Sequence, residues 1–144
     1  HRIRLLVKSL VDPLIMPLVR PLHTDRFAKK RRHRVDPKLR IQRHPDGPGI
    51  ITVTGQALEA IRKSDLGRLG ELMNVCQGLL NGLQVSSWEL EEMIQIAREH
   101  GALGAKLTGG GGGGSMIALC PDDAGTVIEA MQKAGYQAME VHIG

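Results

Sequence analysis

Apolar residues recur every three or four positions from Leu66 to Leu83: Leu66, Leu69, Leu72, Met73, Cys76, Leu79, Leu80 and Leu83. That spacing puts them on one face of a helix, and a Leu/Met stripe of this kind reads as core. Ser64 or Asp65 can cap its start. A shorter helix is expected just before it, with Ala57, Ala60 and Ile61 as its apolar face in Gln56 to Arg62. Its start is open, because Ile51-Thr52-Val53-Thr54-Gly55 is poor helix material. A third helix begins at Ser86, which with Glu89 forms a capping box. It buries Leu90, Met93, Ile94 and Ala97 and stops at Gly101. The period then changes. Leu103 to Leu107 and Met116 to Cys120 are apolar runs of strand length without helical spacing. Pro121-Asp122 opens a fourth helix, with Asp122 and Asp123 at the positive end of its dipole and Ala124, Val127, Ile128 and Met131 facing inward. Gly135 ends it. Tyr136 to Ile143 alternates, with Met139, Val141 and Ile143 on one face, as a final strand. The predicted order is three helices, strand, loop, strand, helix, strand. It suits an α+β sandwich with helices on one face of an antiparallel sheet.

The connection between the first two strands stands out. Thr108 is followed by Gly109, Gly110, Gly111, Gly112, Gly113 and Gly114, then Ser115. Six glycines in a row cannot form the interior of a helix or strand. Two readings compete: a flexible linker, and a loop whose consecutive N–H groups form a concave nest for an anion. The apolar flanks are unlike a linker's. A Walker A loop is excluded, because Ser115 and Met116 follow the last glycine where Lys and Ser or Thr are required. The dinucleotide fingerprint fails as well, because the following segment reads as strand rather than helix.

Charge divides the chain. Residues 1–49 hold 13 of the 19 Lys and Arg but 4 of the 15 Asp and Glu, a net of +9, and residues 50–144 carry −5. Six of the seven prolines also fall in the first part, and Gly47-Pro48-Gly49 makes a natural break after it. The cluster Lys29-Lys30-Arg31-Arg32-His33-Arg34 leaves three readings of residues 1–49 open. They are a nucleic-acid or anionic-surface arm, a solvated tail, and foreign or rearranged sequence. Phe27 is the one aromatic residue near the cluster, which weakens a stacking platform. Hydrophobic content of 42% with 2% aromatics implies an aliphatic core, in one ordinary domain or in one small domain plus an appendage. The two cysteines, Cys76 and Cys120, lie in apolar runs, which is the pattern of a reduced, cytoplasmic protein. No apolar run is long enough for a transmembrane helix, and residues 3–19 lack a signal-peptide pattern. His100 and His142 stand alone, without metal-ligand spacing, and read as surface or capping residues.

The segment Lys106-Leu107-Thr108-Gly109 to Gly114-Ser115 resembles the third signature of the GHMP kinases. That family includes galactokinase, homoserine kinase, mevalonate kinase and phosphomevalonate kinase. It is most similar to the mevalonate kinase form, K-L-T-G-A-G-G-G-G-C, with Gly110 for Ala and Ser115 for Cys. The similarity covers about Ala57 to Ile143 and takes in Leu69-Gly70-Glu71-Leu72-Met73, Leu79-Leu80, Val85-Ser86-Ser87 and Gly104-Ala105. It implies a ferredoxin-like C-terminal domain over residues 50–144, with residues 1–49 unassigned. It also implies phosphoryl transfer from ATP, with Mg2+, to the mevalonate 5-hydroxyl in isoprenoid precursor synthesis. Thr108 to Gly114 would then face the nucleotide phosphates. The family's main nucleotide loop and its catalytic Asp and Lys belong to an N-terminal domain and have no match here. No catalytic or metal-ligating residue is therefore assigned, and the chain alone is expected to be inactive. Cys76 and Gln77 stand where mevalonate kinases usually carry Asn and His. Asn74 nearby reads as a surface residue. Lys106 can either add charge to the loop or point to solvent. Three alternatives stay open: another GHMP small-molecule kinase, a non-catalytic anion-binding module, and an interaction protein acting through the basic arm.

Overall fold

The computed structural model describes residues 3–8, 49–110 and 114–143. In chain order the elements are β1 (Ile3–Lys8), α1 (Ile50–Arg62), α2 (Leu66–Gly82), α3 (Trp88–Glu99), β2 (Gly104–Thr108), β3 (Ser115–Leu119), α4 (Gly125–Lys133) and β4 (Met139–Ile143). The four strands form one sheet in the order β2-β3-β1-β4, with every neighbouring pair antiparallel. Strand order and directions are those of a ferredoxin-like sheet, as the family resemblance implies.

The first strand was not legible in the sequence. Ile3–Lys8 lies inside the segment left unassigned, and it occupies the centre of the sheet. Leu5 is opposite Leu119 on one side and Val141 on the other. The sheet therefore spans the boundary expected at residues 49 and 50. Six residues carry little periodicity of their own, and both pairing partners lie more than a hundred positions further along the chain. The cluster Lys29 to Arg34 and the break at Gly47-Pro48 lie outside the described residues.

The helices begin where tertiary burial and side-chain caps allow. α1 starts at Ile50 and takes in the β-branched stretch Ile51 to Thr54. Val53 is buried there, and the Thr54 hydroxyl donates to the Ile50 carbonyl at 2.7 Å. Packing overrides propensity at this point. Ile61, expected on the inner face, is exposed. Asp65 caps α2 by accepting from the Arg68 N–H at 2.9 Å, while Ser64 takes a left-handed turn with φ 56°. Ser87, one residue after the expected Ser86, caps α3 through the Leu90 N–H. α4 starts later than Pro121: the Asp123 carboxylate accepts from the N–H groups of Gly125 and Thr126 and from the Thr126 hydroxyl.

Two apolar layers follow from the alternation of the strands. Ala105 and Leu107 of β2 and Met116 and Ala118 of β3 face Leu90, Met93, Ile94 and Ala97 of α3 and Val127 and Met131 of α4. The opposite-facing Leu119 and Ile117 pack with Val53 and Ala60 of α1 and Leu69, Leu72, Met73 and Cys76 of α2. Tyr136 is buried beside α3 and donates its hydroxyl hydrogen to Glu92. Met139, on the apolar face expected for the last strand, is exposed. Both cysteines are buried free thiols. Among the described residues no helix is long and apolar enough to cross a membrane.

Candidate functional site

Thr108 and Ser115 are directly opposed at the ends of β2 and β3, so the six glycines close a β-hairpin between paired strands. Gly109 has φ 84° and Gly114 has φ 120°. Both lie in the left-handed region that residues with a Cβ rarely adopt. A Cβ added at Gly109, Gly110 or Gly114 would meet nothing within 4 Å. Crowding inside the chain therefore does not demand glycine here. At these three positions the backbone is open to close approach from outside. Gly111, Gly112 and Gly113 lie outside the described residues.

The base of this loop is held from one side by hydrogen bonds to β3 and from the other by side chains. β2 is an edge strand, and its outward N–H groups alternate along it. The Ala105 N–H donates to Asn74 Oδ1 at 3.1 Å, and the Leu107 N–H donates to Gln77 Oε1 at 2.8 Å. Asn74 Nδ2 returns a bond to the Leu103 carbonyl at 3.2 Å. Arg98 donates to Asn74 Oδ1 at 2.7 Å and to the Ala105 carbonyl at 3.2 Å. Asn74, expected at the surface, is thus a half-buried bracket on the edge strand. Gln77 is 2% exposed, and its Nε2 donates to Ser86 Oγ at 2.9 Å and Glu91 Oε1 at 2.6 Å. Its neighbour Cys76 is plain core.

Charge near the site is modest. Lys106 is half-buried and folds back, with Nζ donating to the Leu107 carbonyl at 2.6 Å. Burial pushes the Arg98 guanidinium below its ordinary value, and the Glu91 carboxylate opposes that shift. His100 holds the last turn of α3 through the Ile96 carbonyl, and His142 sits on β4 at the far edge of the sheet. Among the described residues no group of three or more His, Cys, Asp or Glu is placed to hold a metal ion.

The family model for the GHMP kinases C terminal matches residues 57–137, more than half of the chain. The chain belongs to the GHMP kinase family, in its C-terminal domain. Mevalonate kinase of Methanothermobacter thermautotrophicus is 42% identical over 99 residues, covering 65% of this chain and 33% of that protein. Mevalonate kinase of Pyrococcus horikoshii is 53% identical over 70 residues, covering 49% of this chain and 21% of that protein. Among solved structures, L. major mevalonate kinase in complex with R-mevalonate superposes with a TM-score of 0.67 at 26% identity, covering 99% of this chain and 43% of that one. The chain spans a third or less of the length of these curated relatives.

Proposed function

We propose that this chain is the C-terminal part of an ATP-dependent mevalonate kinase, and that Thr108 to Gly114 cradle the nucleotide phosphates. The observation that carries the reading is the hairpin itself. Left-handed glycines stand at both described ends of the loop, with open space over them, on two strands locked in register. Phosphoryl transfer spreads negative charge over non-bridging oxygens, and fixed N–H groups that need no reorganisation stabilise that charge. The loop offers backbone donors without side chains in the way, and the paired strands hold both of its ends. Thr108 and Ser115, at the mouth of the hairpin, add hydroxyl groups on the same face as Lys106.

ATP fits this loop as a ligand for backbone donors. For Mg2+, the described residues hold no group of three or more His, Cys, Asp or Glu. Mg2+ keeps several waters and binds through phosphates and one or two carboxylates. In this reading it arrives on the nucleotide. The match to a third of the Methanothermobacter relative leaves room for an N-terminal kinase domain as partner, bringing the catalytic base. Mevalonate and ATP are the small-molecule partners, the compartment is cytoplasmic, and neither a membrane nor nucleic acid is required. The chain alone binds weakly and does not turn over.

The test is isothermal titration of Mg-ATP and mevalonate with a coupled ADP-release assay, on the chain alone and with the N-terminal half of a relative added. ADP release that depends on both the added half and mevalonate supports the reading. Phosphate binding without turnover in either case favours the non-catalytic anion-binding module. Turnover by the chain alone overturns the half-enzyme reading.

A further inference from the structure

Gln77 is the one buried polar side chain in the described core. It sits within the apolar stripe of α2, between Met73 and Leu80, where leucine would fill the same space. An amide there is costly unless its groups are all bonded. They are: Oε1 accepts from the Leu107 N–H, and Nε2 donates to Ser86 and Glu91. Two of these three partners belong to the α2–α3 connection and to α3. The third is the backbone one residue before Thr108. The contact sits where β2 leaves the sheet to become the glycine loop, and the glycines themselves cannot fix a conformation.

We propose that Gln77 is a positioning residue for the glycine loop. It transmits the rigidity of the α2–α3 pair to the loop base through the Leu107 N–H, with Ser86 and Glu91 as its anchors. The proposal rests on the reading of Thr108 to Gly114 as an anion cradle. In that setting the bond sets the direction in which the first loop N–H groups point. Removing it frees the outer edge of β2 at Leu107, and the next outer brackets are those of Asn74 and Arg98 at Ala105, two residues further from the loop. The loop then samples more conformations, and the anion must order them on binding.

The experiment compares Gln77→Leu with Tyr136→Phe, which deletes a hydrogen bond of another buried side chain away from the β2 edge. Two readouts are taken on the 144-residue chain: affinity for tripolyphosphate and Mg-ATP, and amide hydrogen exchange. Gln77→Leu is expected to weaken binding about tenfold, the scale of one hydrogen bond lost from a buried donor. It is also expected to speed exchange at Leu107, Gly109 and Gly110 beyond its effect on α3. Tyr136→Phe should bind like the wild type at comparable loss of stability. Ser86→Ala removes one anchor, keeps Oε1 in place, and should give the same pattern at smaller amplitude, which protects the test if Gln77→Leu fails to fold. Wild-type affinity together with wild-type exchange at Leu107 in these variants overturns the proposal. If the wild type binds neither anion, the cradle reading falls, and exchange alone decides the role of Gln77. Faster exchange confined to Leu107–Gly110 supports it, and a uniform change overturns it.

Discussion

Gly104 lies so close to the backbone of Gly70 that a Cβ on Gly104 would fall 2.2 Å from the Gly70 carbonyl oxygen. The reverse also holds: a Cβ on Gly70 would lie 2.6 Å from the Leu103 carbonyl oxygen. This contact brings α2 onto the edge of β2. Asn74 and Gln77 lie four and seven residues after Gly70 on the same helix face, and so they reach the outward N–H groups of the strand. Gly104→Ala should therefore cost about 1–3 kcal/mol or more, because backbone rather than a flexible side chain must move. Gly78 provides the contrast. It is exposed within α2 and has nothing within 4 Å of an added Cβ. Gly78→Ala should stabilise the fold by about 0.5–1 kcal/mol. Urea denaturation of both variants checks the opposite signs.

The two glycines of that contact also show what the sequence could convey. Gly70 and Gly104 stand out in the family resemblance, but the resemblance does not say that they touch. Elements with local signals were legible. Leu90, Met93, Ile94 and Ala97 are buried as their spacing requires, and the strand–glycine–strand hairpin is in place. Signals that depend on distant partners were not. β1 is defined by pairing with residues near the other end of the chain. Asn74 read as a surface residue because nothing in helical spacing shows that its amide faces a strand edge. Gln77 did carry a signal: it is a polar residue inside an apolar arc. Recognising it needed attention to the break in the stripe rather than to the stripe.

The left-handed glycines at the two ends of the loop make a separable prediction. Gly114→Val places a β-branched side chain at φ 120°, a conformation that costs about 1–3 kcal/mol for a residue with a Cβ. The Cβ itself meets nothing, so the helices should keep their far-ultraviolet signal while the loop loses its shape. Titration with Mg-ATP should show binding weakened about tenfold or more, on the same energy scale. Unchanged affinity would remove the loop from the anion site.

The central place of β1 tests where the folding unit begins. Leu5 pairs on both sides, with Leu119 and Val141. Leu5→Pro removes a backbone donor from an interior strand, where proline is not accommodated. The variant should lose cooperative thermal unfolding. A fragment of residues 50–144 should behave the same way, because β3 and β4 no longer share a neighbour and each exposes an edge. A sharp two-state melt for that fragment would show that the sheet does not need its first strand.

Cys120, the residue after β3, gives the fold a dependence on alkaline pH. Burial pushes its thiol up from an ordinary 9.0 to about 11, and the carboxylates of Asp123 and Glu140 add to the shift. The folded chain holds this proton more tightly than the unfolded chain does. Below pH 9.0 both states keep it, and the contribution of Cys120 to stability is whole. As the pH rises from there towards about 11, the unfolded chain releases the proton first, so stability falls. Lysine and tyrosine titrate in the same range, so the informative quantity is the difference between the wild type and Cys120→Ala. The variant loses packing at every pH but has no thiol to ionise. Its deficit in urea denaturation should shrink steadily from about pH 9 to about pH 10.5, because only the wild type is being weakened by this group. A deficit that stays constant across that range would mean that the thiolate forms in the folded state as readily as in the unfolded one, and that Cys120 is not sealed beneath α4.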